Sequence, residues 1–167
     1  MLREMNKRCY IFDVDGVIID VSEKVQAAKE LAKTRGLNWK TLLHSKELLS
    51  LDRPRKLGVE ILRDRLRKGS VIFITGRPER LRKKTLEELR RFTGIEKPIL
   101  ITAPRIKGAG LISRKLIAFR KAAEICQEVV EYHDDDKNVL RAVRVEYPTI
   151  NLFLHENSSV KIFSIYK

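Results

Sequence analysis

Cys9-Tyr10-Ile11-Phe12-Asp13-Val14-Asp15-Gly16 is the stretch that decides the fold of this chain. A short run of strand-forming residues ends abruptly in two acids and a glycine, the pattern of a buried strand that delivers carboxylates to a loop. Asp13 and Asp15 also interrupt the apolar run from Cys9 to Ile19, which argues against a signal-peptide core or a membrane span. A cytoplasmic protein with no membrane partner is expected.

Outward from this strand, the chain alternates helical and extended patterns. Ser22 is placed to cap a helix in which Val21, Val25, Ala28 and Ala32 recur at helical spacing until Gly36 stops it. A second helix is expected over about 39–49. Pro54 marks a new start, followed by a helix carrying Leu57, Ile61 and Leu62 that ends near Gly69. Val71 to Ile74 form the second strand, ending at Thr75-Gly76-Arg77-Pro78, and a helix with Leu81, Leu86, Leu89 and Phe92 runs to Gly94. Ile99 to Ile101 form the third strand. Residues 102–113 read as an exposed loop, after which Ser113 is expected to cap a helix with Leu116, Phe119, Ala123 and Cys126 on one face. Val129 to His133 form the fourth strand and run into Asp134-Asp135-Asp136; two more apolar runs follow, 150–154 and 160–165.

Such alternation predicts an α/β fold with a parallel sheet covered on both faces, because parallel neighbours need crossover connections. The 167 residues suit one domain, with the helices of segment 21–51 as a small cap insertion beside the sheet. An apolar share of 43% supports a packed interior. With only two cysteines, Cys9 and Cys126, one in a strand and one on the apolar side of a helix, buried thiols are expected rather than a disulfide framework. The formal charge of +13 is concentrated in residues 53–121, where 21 Lys or Arg face six acids. That segment is either a set of solvated helix faces or a cationic surface for a polyanion such as nucleic acid.

In open α/β sheets, ligands bind outside the carboxyl ends of the strands. Asp13 and Asp15, Thr75 and Gly76, and Asp134 to Asp136 all fall at such ends, with Lys115 arriving from the start of the preceding helix. Clustered carboxylates repel one another unless a cation or a shared proton compensates. Magnesium, which takes oxygen ligands from one or two carboxylates plus substrate phosphate, is the expected cofactor.

The order Asp13-Val14-Asp15-Gly16, Thr75-Gly76-Arg77, a helix-borne lysine and Asp134-Asp135 resembles the four motifs of haloacid dehalogenase (HAD) superfamily phosphatases, over roughly residues 8–145. That resemblance implies a HAD-like Rossmannoid three-layer sandwich with a small helical cap. Asp13 would be the phosphorylated nucleophile, and Asp15 the acid that protonates the leaving oxygen and later activates water. Thr75, with Gly76 and Arg77, would bind the phosphate and Lys115 would offset its charge, Lys121 being the competing lysine. The metal shell would come from Asp13, Asp15, Asp134 and Asp135, with the register of three consecutive acids left open. Family members often carry Thr or Ser where this chain has Val17. His133 reads as a packed strand residue.

Thr-Gly-Arg-Pro, the basic helix after it and the paired acids look most like the phosphatase domains of polynucleotide kinase-phosphatases. This implies phosphomonoester substrates, nucleic-acid 3′ ends among them, with small metabolites or nucleotides as the alternative. No Gly-x-x-x-x-Gly-Lys-Ser/Thr loop for a kinase occurs, and only 7% aromatic residues argue against a base-stacking platform. Two non-enzymatic alternatives are a phosphoacceptor module and a nucleic-acid-binding domain with a vestigial site. Receiver-type phosphoacceptors place the phosphorylated acid on a later strand than the acidic pair, whereas here both candidate acids share the first.

Overall fold

The computed structural model describes residues 8–164, so Ile165, at the end of the last apolar run, lies outside the described residues. In chain order the elements are β1 (Arg8–Asp13), β2 (Ile19–Asp20), α1 (Ser22–Arg35), α2 (Trp39–Leu42), α3 (Lys46–Leu49), β3 (Arg53–Pro54), α4 (Lys56–Leu66) and β4 (Ser70–Thr75). There follow α5 (Arg82–Thr93), β5 (Ile99–Thr102), α6 (Leu111–Glu124), β6 (Glu128–Asp134), α7 (Lys137–Glu146), β7 (Asn151–Glu156) and β8 (Ser159–Ile162).

Six strands form one sheet in the order β5-β4-β1-β6-β7-β8, all parallel except β8, which pairs antiparallel with β7. The central strand explains the layers. Cys9 and Ile11 of β1 join a core with Ile72, Ile74, Phe119, Tyr132 and Leu140, while Tyr10 and Phe12 join a second core with Phe73, Val59, Leu62 and Leu89. Because successive strand side chains point to opposite faces, a strand apolar at every position must be covered on both. Helices α6 and α7 supply one cover, α4 and α5 the other. This is the expected α/β three-layer sandwich. Among the described residues no helix is long and apolar enough to cross a membrane.

From β1 the chain moves outward to β4 and β5 on one side, then returns to β6 and β7 on the other. The carboxyl ends of β1 and β6 therefore border the crevice where connections diverge, the position at which such sheets bind ligands. Just beyond β1, β2 and β3 pair as a short antiparallel ribbon through Ile19 with Pro54 and Asp20 with Arg53. The ribbon closes the base of segment 21–52, the expected insertion 21–51 together with Asp52.

Several local expectations are corrected. The helix expected over 39–49 is two short ones, α2 and α3, the second begun by an extended Ser45. Val21, not Ser22, is the N-cap of α1, and the Ser22 N–H is taken by Asp20 Oδ1 at 2.9 Å. The buried stripe of α1 is Lys24, Ala28 and Ala32, displaced from the all-apolar stripe that spacing alone suggested. Helix α6 begins at Leu111 with an extended Gly110 as its cap, so Ser113 lies inside it.

Nor do the cysteines remain separate thiols. Cys9 of β1 and Cys126, in the turn between α6 and β6, form a disulfide with Cα atoms 6.0 Å apart, across 117 positions of sequence. The end of α6 packs beside the start of β1, and no local pattern announces so distant a pairing.

Candidate active site

Asp13 is the last residue of β1, Asp134 the last of β6, and Asp135 follows it on the exposed rim. Carboxylate oxygens of the three lie within 4.8 Å of one another. Lys115, buried near the start of α6, places Nζ 2.9 Å from Asp13 Oδ2 and 2.9 Å from Asp134 Oδ2. Lys121, the competing lysine, is exposed near the end of the same helix.

One lysine against three acids leaves a surplus of negative charge. Burial, and then Asp134, push the Asp13 carboxyl well above the usual carboxylate range, with Lys115 opposing. Packing around Asp135 and its neighbour Asp134 push that group up to about 7. Carboxyls raised in this way are short of positive charge, which a divalent cation would supply. The backbone leaves room for the cluster. Gly16 sits at a φ of +81°, and a Cβ there would fall 2.2 Å from Asp135 Oδ2. The residues present thus fit a magnesium ion.

The three acids differ in freedom. Asp134 Oδ2 accepts from Lys115 and from the Tyr132 hydroxyl, and its Oδ1 accepts the Asp136 N–H at 2.9 Å. Asp136 turns away to cap α7 through Asn138 N–H, 2.8 Å distant. Of the three consecutive acids, Asp134 and Asp135 belong to the cluster.

Asp15, expected among the metal ligands, is not in that group. Its carboxylate meets Arg77, with Nη2 2.6 Å from Oδ1 and Nε 3.0 Å from Oδ2. Burial alone would raise Asp15, but the Arg77 guanidinium outweighs it and holds the carboxyl down at about 2. Arg77, expected to bind substrate, is only 1% exposed and also clamps Asp52 at 2.8 Å and Glu88 at 2.6 Å. It is a buried fork rather than a surface contact. Lys24 of α1 completes the group, 2.9 Å from Asp52 Oδ1.

Thr75 ends β4, buried, and its Oγ1 accepts the Arg77 N–H at 3.1 Å. Its own hydroxyl proton can therefore be donated elsewhere. Gly76 lies under Leu111, whose Cδ1 would be 2.7 Å from a Cβ at that position.

A cleft of about 1150 Å³ opens beside Gly16 and Asp135, lined also by Gln26, Lys29, Lys33, Arg55 and His155. Of the basic segment 53–121, only Arg55 reaches it; Lys29 and Lys33 come from α1. A second hollow of about 400 Å³ gathers Arg105, Lys107 and Arg114 from that segment.

Arg55, His155, Lys24, Asp52 and Glu88 carry no motif, and pattern did not single them out. A lysine four residues before Ala28 on an otherwise small helix face was the one available signal for Lys24. Arg55 and His155 begin a directed chain of hydrogen bonds. Arginine only donates, so His155 Nδ1, 2.7 Å from Arg55 Nη1, is the acceptor and Nε2 carries the proton. Nε2 donates to His133 Nδ1 at 2.9 Å, and His133 Nε2 donates to Glu131 at 3.0 Å. Both imidazoles are thus neutral, and His133 is the packed strand residue expected, stacked between Phe12 and Phe153.

No protein-family model matches the chain, and no curated protein matches it. Solved structures do. One chain of a Pnkp1/Rnl/Hen1 complex superposes at a TM-score of 0.60 with 16% identity over 91% of this chain and 47% of that one. A chain of the Pnkp1/Rnl/Hen1 RNA repair complex gives 0.60 and 17%, over 89% and 42%. This protein therefore spans less than half the length of those two chains. A haloacid dehalogenase-like family hydrolase from Streptococcus pneumoniae gives 0.55 and 12%, over 86% and 82%. The shared property is the fold, that of the haloacid dehalogenase-like hydrolases.

Proposed function

We propose that this chain, built on the haloacid dehalogenase-like fold, is a magnesium-dependent phosphohydrolase of phosphomonoesters with Asp13 as its nucleophile. The observation that carries this reading is the convergence of Asp13, Asp134 and Asp135 on one point, with Lys115 bridging two of them. Asp13 attacks phosphorus to form an aspartyl phosphate, dividing hydrolysis into two easier displacements. Asp15, once turned from Arg77, loses the partner that keeps it ionised, takes up a proton from solvent, gives it to the leaving oxygen and then takes one from the attacking water. The Thr75 hydroxyl and the Gly76 N–H bind phosphoryl oxygens, and Lys115 orients Asp13 and offsets the charge that develops. Asp13, Asp134 and Asp135 would hold magnesium, whose charge would polarise the phosphoryl group. Segment 21–52 acts as a small cap over one side of the cleft.

Nucleic-acid 3′ ends are the substrate we favour. Support comes from the basic hollow at Arg105, Lys107 and Arg114 and the fold shared with a chain of an RNA repair complex.

Phosphate release from 3′-phosphorylated oligonucleotides, 5′-phosphorylated ones and a panel of sugar phosphates tests both levels. Release should require magnesium and vanish in Asp13→Asn with the circular dichroism spectrum unchanged; turnover that survives this variant or chelation of magnesium overturns the enzyme assignment. With about three single-strand phosphate contacts, oligonucleotide binding should weaken on the order of 20-fold between about 50 and 200 mM salt. Sugar phosphates turning over faster at every salt concentration would rule out the nucleic-acid substrate.

A further inference from the structure

Helix α1 sends a lysine into the interior. Lys24 pairs with Asp52 at 2.9 Å, Asp52 with Arg77 at 2.8 Å, and Arg77 with Glu88 at 2.6 Å. These side chains come from α1, the end of segment 21–52, the loop after β4, and α5, and none is more than 2% exposed. Two cations and two carboxylates make the set neutral. Asp15, 29% exposed, meets it from outside at the Nε and Nη2 edge of Arg77.

Two consequences follow from this arrangement. With Glu88 on Nη1 and Asp52 on Nη2, the planar guanidinium is held at both ends, so the edge it offers Asp15 is fixed in place. Asp15 is also the surplus carboxylate. It can leave without abandoning an uncompensated charge in the interior, which none of the other four can do. Stability does not account for the set, since apolar side chains of similar volume stabilise a core as well as or better than buried ions do.

We propose that Lys24 and Asp52 are positioning residues for the general acid Asp15, acting through Arg77. The inserted segment 21–52 is thereby part of the proton-transfer machinery as well as a wall of the cleft. This rests on the phosphohydrolase reading above.

Leaving-group dependence tests it, because a nitrophenolate departs with little help from an acid and an alkoxide does not. In Lys24→Met the set carries a surplus negative charge, and the guanidinium edge no longer fixes where Asp15 stands; in Asp52→Asn it carries a surplus positive charge and keeps Asp15 ionised against Arg77. In both, kcat/KM for glycerol phosphate, which reports only the steps through departure of the leaving group, should fall by about 10- to 100-fold and that for p-nitrophenyl phosphate by less than about threefold. Lys24→Arg should restore the ratio of the two rates. If either single variant fails to fold, Lys24→Met combined with Asp52→Leu removes the pair while leaving Arg77 compensated by Glu88, and should show the same ester-selective loss. Equal losses of kcat/KM on both esters, or no loss on either, in a cooperatively melting chain overturn the positioning role. A parent chain inactive on both esters would instead mean that the phosphohydrolase reading itself had failed, and the positioning role with it.

Discussion

Arg77 holds three carboxylates, those of Asp15, Asp52 and Glu88, in a site almost closed to water. Removing a charge from such a group costs far more than the group contributes in place, because the partners are left buried and unpaired. Arg77→Met should therefore destabilise the chain by about 3–5 kcal/mol in urea unfolding, and Arg77→Lys should recover little, since one ammonium cannot fork to several acids. A loss under about 1 kcal/mol for Arg77→Met would show that the acids find other partners. His155 acts in the opposite sense. Burial, His133 and Arg55 hold it down from 6.5 to about 3. Between those values the unfolded chain binds the extra proton, so stability is complete above 6.5 and is lost as the pH falls toward 3, by about 1.4 kcal/mol per pH unit. In His155→Gln, which can still accept from Arg55 and donate to His133, the contribution disappears; melting curves of parent and variant that stay parallel over this range would refute it.

At the scale of elements, the site depends on how closely α4 approaches the loop after β1. A Cβ on Gly58 of α4 would fall 1.7 Å from the Val17 carbonyl oxygen, backbone that cannot swing aside. The same carbonyl accepts from Arg55 Nη1 at 3.3 Å. Gly58→Ala, which in an exposed helix would stabilise, should here cost about 2 kcal/mol or more and lower phosphate release along with stability, because the loop it displaces carries Asp15 and Gly16. An unchanged melting temperature would mean that the helix can slide without moving the loop.

At the scale of the molecule, the Cys9 to Cys126 disulfide ties β1 to the end of α6, at the end of the sheet remote from Asp13. Closing so long a loop restricts the unfolded chain more than it alters the folded one. Reduction, or Cys9→Ser, should lower stability by about 2–4 kcal/mol while phosphate release at low temperature stays near that of the oxidised chain. Identical denaturation midpoints with and without reductant would exclude the contribution.

What the sequence determined by itself was whatever depends on short-range pattern. The run Cys9 to Phe12, Val71 to Ile74 and their intervening helices specify an α/β sandwich, because period and turn residues are local properties. The strand-end positions of Asp13, Thr75 and Asp134 follow from the same patterns, and Lys115 was legible by its place at a helix start. Tertiary structure alone decided which charges meet. Arg77 reads as a phosphate-binding residue until Asp52, Glu88 and Lys24 are brought to it from other elements, and the cysteines read as separate thiols until the chain folds across 117 positions. Desolvation and pairing depend on three-dimensional neighbours, which no local spacing encodes.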